Sequence, residues 1–107
     1  MYVAYFKRKI IREIIESLDG ENVGLSLFGS VVSDTYDSNR CRPQSDIDLC
    51  VKTDSGEVFD RCFKKITKAV DGRSGTDIIW WNAVTDPCLK NNIRKGILLK
   101  EGDRICF

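Results

Sequence analysis

The chain has 107 residues, of which 17 are Lys or Arg and 16 are Asp or Glu, for a formal charge of +1. At this length one domain spanning 1–107 is expected, burying about 65% of its unfolded surface, enough for a core without staples. A 42% hydrophobic and 31% charged composition argues against a disordered or fibrous chain, and the near-neutral balance gives no electrostatic ground for a direct nucleic-acid partner.

Residues 3–18 read as a helix, with Ile10, Ile11, Ile14, Ile15 and Leu18 at the 3.6-residue period and Lys9 four residues before Glu13 on the other face. Asp19-Gly20 ends it. Val23 to Phe28 reads as a strand delivering Gly29-Ser30. Val31-Val32 could open a short helix, and the polar stretch Asp34 to Gln44 reads as a loop. Asp46 to Val51 alternates strictly, with Ile47, Leu49 and Val51 on one face and Asp46, Asp48 and Cys50 on the other. Glu57 to Val70 is a second amphipathic helix closed by Gly72. Thr76 to Trp81 is a strand, Asp86 caps a third helix with Pro87 at its first position, and the tail folds as two short strands about a Gly-containing turn. This order predicts an α/β (α+β) fold, a mixed sheet with helices mainly on one face.

Five cysteines without a C-x-x-C pair, and no histidine at all, argue against zinc and remove the Ser-His and Cys-His nucleophile arrangements. Free, mostly buried thiols in a reducing cytoplasm are expected, and no apolar run reaches membrane-spanning length. The basic groups Lys7-Arg8-Lys9 and Arg94-Lys95 fall on predicted helices and read as solvated faces rather than polyanion sites. Trp80-Trp81 reads as packing before base stacking. Paired aromatics beside an exposed sheet edge leave homodimer formation open.

The acidic residues carry more chemistry. Asp46 and Asp48 project from one face of a strand with Cα atoms about 6.5–7 Å apart, and like charges so placed call for a cation between them. Mg²⁺ is the natural partner, being hard and able to bridge carboxylates to phosphates. Gly29-Ser30 at a strand end lets backbone amides approach a phosphate, the more so if a helix starts there. Asp77 opens the next strand. If that strand lies beside Asp46 and Asp48, three carboxylates meet, as two-metal phosphoryl or nucleotidyl transfer requires, with Asp77 a metal ligand or acceptor of the incoming proton. An aspartyl-nucleophile phosphatase, which also uses D-x-D, is set aside because Arg42-Pro43-Gln44-Ser45 cannot form its long buried strand.

Leu27-Phe28-Gly29-Ser30, Pro43-Gln44-Ser45-Asp46-Ile47-Asp48-Leu49 and Thr76-Asp77-Ile78-Ile79, in that order, resemble the minimal nucleotidyltransferases of the DNA polymerase β superfamily. The resemblance implies a nucleoside triphosphate, ATP, and two Mg²⁺ ions. Transfer of AMP to a hydroxyl would release pyrophosphate. It also implies a HEPN-domain toxin as partner, with this chain as antitoxin. Carried over, Gly29, Ser30 and Ser45 hold the nucleotide and Asp46, Asp48 and Asp77 the metals. The chain departs from the family's Gly-Ser-x-Ala-Arg-Gly, reading Gly29-Ser30-Val31-Val32-Ser33-Asp34 over a longer spacer. The alternative function is a nucleotidyltransferase-fold module that neutralises its partner by binding alone.

Overall fold

A computed structural model describes residues 2–3, 5–33 and 46–107, with side chains for 7–32 and 46–107. The elements are β1 (Tyr2–Val3), α1 (Tyr5–Ser17), β2 (Gly24–Phe28), β3 (Val32–Ser33), β4 (Ile47–Lys52), α2 (Gly56–Val70), β5 (Thr76–Trp80), α3 (Pro87–Arg94), β6 (Ile97–Glu101) and β7 (Arg104–Ile105). Single 3₁₀ turns occupy Gly29–Val31 and Trp81–Ala83. β1 and β3 form a small antiparallel pair, and the main sheet has the order β5-β4-β2-β6-β7. Among the described strands only β4 and β5 run parallel, so the sheet is mixed. Among the described residues no helix is long and apolar enough to cross a membrane.

The alternation in β4 sorts the two faces. Ile47, Leu49 and Val51 are fully buried with Leu25 and Leu27 of β2, Leu99 of β6, the Ile11, Ile14, Ile15 stripe of α1, and Cys62, Ile66 and Val70 of α2. On the opposite face a smaller cluster joins Phe28, Cys50, Val84 and Ile93, with Ile79, Trp81 and Leu89 against it. The two long helices thus cover one face, and the short α3 covers part of the other. Ser55 caps α2 by accepting from the Val58 N–H at 3.2 Å, and Asp86 caps α3 by accepting from Cys88 at 2.9 Å, with Pro87 at the first helical position as expected.

Four local expectations are corrected. The helix predicted from residue 3 begins at Tyr5, because the apolar period does not extend back to Tyr2–Val3, which pair with Val32–Ser33 instead. The short helix considered at Val31-Val32 is one 3₁₀ turn ending at Val31, since β-branched Val32 enters that pairing. Glu13 pairs with Arg73 from the turn after α2, not with Lys9. The thiols divide evenly among the described residues: Cys50 and Cys62 are buried and Cys88 and Cys106 exposed, while Cys41 lies outside those residues. The predicted loop 34–44, with Arg40 and Arg42, also lies outside them.

One polar network ties the long helices to the sheet. The Glu21 carboxylate, nearly buried between α1 and β2, accepts from Arg61 Nε at 2.6 Å and Nη2 at 2.7 Å and from Lys65 Nζ at 3.2 Å. Its backbone oxygen takes the buried Lys100 ammonium at 2.8 Å. The Arg61 hydrogen bond, with help from Lys65, holds the Glu21 carboxyl at about 2 against an ordinary 4.5. A carboxyl depressed on folding stabilises fully above its unfolded value and loses that contribution as pH falls through its folded one. Glu21→Gln is therefore expected to cost about 2 kcal/mol at pH 7. Urea midpoints of variant and wild type should converge as pH is lowered from about 4.5 towards 2.

Candidate active site

β2, β4 and β5 lie side by side, and their register collects the candidate residues at one end of the sheet. Antiparallel pairing sets Phe28 opposite Asp48, and parallel pairing sets Asp48 beside Asp77. Adjacent strands stand about 4.8 Å apart, so the two aspartates are direct neighbours. Asp46 immediately precedes β4, where the Ile47 N–H donates to Gly75 O at 2.9 Å and so brings the start of β4 against the start of β5. Asp46, Asp48 and Asp77 all alternate with core residues and belong to the face away from α1 and α2.

Two glycines make room for the carboxylates. Gly29, at φ +81°, follows Phe28 directly, and a Cβ there would run into Asp48 Oδ2. Gly75 stands in the same relation to Asp46 Oδ1. The Gly29–Val31 turn is therefore packed on the central carboxylate, with the exposed Ser30 at its crest. The expected helix start behind Gly29-Ser30 is absent: three residues of 3₁₀ turn lead straight into β3, so no helix dipole contributes here. Ser45 lies outside the described residues. Gly75 was the residue that sequence reasoning passed over. Its position just before the strand carrying Asp77 was the available signal, but only the β4–β5 pairing shows what it accommodates.

Asp48 is half-buried, and its carboxyl is pushed above the usual range first by that burial and then by the charges of Asp77 and Asp46. This mutual repulsion would be relieved by a cation. Among the described residues no three Cys, Asp or Glu side chains are already gathered as a metal-holding group, so the three aspartates meet as neighbours and not as a closed cage. Magnesium does not require a cage. It keeps much of its water and is bound by one or two carboxylates together with substrate phosphates. Hard oxygen donors beside an open glycine turn fit that mode.

The Gly29–Asp48 contact can be isolated from backbone strain. Gly20 also has positive φ, at +84°, but nothing lies within 4 Å of an added Cβ. Gly20→Ala should cost about 1 kcal/mol of backbone strain. Gly29→Ala should cost roughly 1–3 kcal/mol more and displace the Asp48 carboxylate, read by urea unfolding and by the Asp48 carboxyl carbon shift.

Comparison with curated proteins gives no match. A family model described as a nucleotidyltransferase domain matches residues 8–97, a span that includes most of α1 and all of β2, the Gly29 turn, β4, α2, β5 and α3. With most of the chain covered, and with Gly29, Asp46, Asp48 and Asp77 inside the match, the chain belongs to the nucleotidyltransferase domain family, and its chemistry is nucleotidyl transfer.

Proposed function

We propose that residues 1–107 act as one Mg²⁺-dependent nucleotidyltransferase domain that moves AMP from ATP to a hydroxyl on a HEPN-domain partner in the cytoplasm, serving as its antitoxin. The observation that supports this most is Asp48 lying between Asp77 on one strand and the Gly29 turn on the other. Gly29 and Ser30, with Ser45, bind the triphosphate through amide and hydroxyl donors. Asp46 and Asp48 hold the metal ions, with Asp77 as a further ligand on the acceptor side. Bound Mg²⁺ supplies neutralisation of the phosphates and activation of the acceptor hydroxyl. The acceptor oxygen attacks the α-phosphorus as the bond to pyrophosphate breaks, and Asp77 takes the hydroxyl proton. The identity of the partner is supported by the resemblance to short nucleotidyltransferases that are paired with HEPN proteins.

A second reading, silencing by binding alone, draws on Val31-Val32-Ser33-Asp34 standing where the family has x-Ala-Arg-Gly. Incubation with α-labelled ATP, Mg²⁺ and the protein encoded beside this chain separates the two. The transferase labels that protein, and Asp46→Asn or Asp48→Asn lowers labelling by about 100-fold or more, matching several kcal/mol of lost transition-state stabilisation, while circular dichroism stays unchanged. Silencing of the neighbour without label would establish the binding module instead.

A further inference from the structure

The face of the sheet that carries the aspartates ends, about 13 Å along β4 from Asp48, in a cluster of opposite sign. Asp46, Asp48, Cys50 and Lys52 alternate along that face, and Lys52 closes the strand. Its ammonium stands 4.5 Å from the centre of the Trp81 indole. Lys90 Nζ at 5.8 Å and Arg94 Cζ at 5.4 Å approach the same ring from α3, where they lie one turn apart. We propose that Lys52, Lys90 and Arg94, gathered on Trp81, form a second anion site that takes a phosphate dianion.

Three cations on one ring repel one another, and the acidic groups nearby do not offset them. The ion pairs among the described residues engage Arg61, Lys65, Arg73 and Arg104, and none includes Lys52, Lys90 or Arg94. Asp86, four residues before Lys90, is occupied in capping Cys88. The indole fixes the cations instead, itself packed against the buried cluster of Phe28, Cys50, Val84 and Ile93. A phosphate monoester or free phosphate places up to two charges and three acceptor oxygens on one compact centre, which suits three donors arranged about a single ring. A carboxylate offers one charge and two oxygens.

The site is independent of nucleotidyl transfer and is tested without magnesium. Inorganic phosphate is titrated into the full ¹⁵N-labelled chain at constant ionic strength held with chloride. The Trp81 indole N–H should shift saturably, while that of Trp80, whose Nε1 donates to Thr53 O at 2.8 Å, should stay in place. Pyrophosphate should bind at least as tightly. Lys90→Ala with Arg94→Ala should weaken binding ten-fold or more with thermal unfolding still cooperative. Lys52→Gln alone, which leaves α3 intact, should weaken it about three-fold. Asp48→Asn should lower transfer by about 100-fold or more but leave phosphate binding unchanged, so the two readings fail separately. Unsaturable shifts equal to those in added chloride, wild-type affinity in the variants, or tighter binding of an oligonucleotide lacking terminal phosphate would each overturn the proposal.

Discussion

Burying a carboxylate among aliphatic side chains without a partner costs several kcal/mol, and that penalty sets how β4 sits in this molecule. Ile47, Leu49 and Val51 must meet α1 and α2, so Asp46 and Asp48 must face the other way. A slip of one residue would invert every side chain and carry both carboxylates into the main core. The registers to β2 and β5 follow from the same constraint, because Leu25, Leu27 and Ile78 have to enter the core beside β4. The site is thus a by-product of the packing: once the apolar side is satisfied, Phe28, Asp48 and Asp77 are aligned on adjacent strands.

Charge is distributed to match. Behind the sheet, Glu21 gathers Arg61 and Lys65 with its carboxylate and Lys100 with its backbone oxygen, a network in which the carboxylate is compensated and the cations bridge elements distant in sequence. On the open face neither pole is compensated. Burial and the charges of Asp77 and Asp46 raise the proton affinity of Asp48 at one end, and three cations crowd Trp81 at the other, with Cys50 and Ile79 between. Burial pushes the Cys50 thiol up to about 11, so it separates the poles as a neutral apolar group and not as a nucleophile. A net charge of +1 conceals this separation.

Much of the fold was legible because local signals agreed with it. The period of α1, the Asp86-Pro87 start of α3 and the strict alternation of β4 each encode a boundary or a face through interactions within a few residues, and the structure follows them. Where local and distant preferences competed, the distant ones won. Val3 leaves the predicted helix and pairs, together with Tyr2, against Val32–Ser33, and Glu13 takes Arg73 across the helix interface over Lys9 one turn away.

By itself the sequence determined which residue types occur at which spacing: a glycine-serine turn after an apolar strand, two aspartates sharing one face, and a third opening a later strand. Those follow from the two- and 3.6-residue periods of regular backbone. Only tertiary structure decided that β5 runs parallel against β4 so that Asp77 adjoins Asp48, that Gly29 and Gly75 lie on the carboxylates, and that Trp81 collects Lys52, Lys90 and Arg94. Strand order and ring contacts depend on how a whole apolar surface is buried at once, and that is a property of the assembled core rather than of any segment.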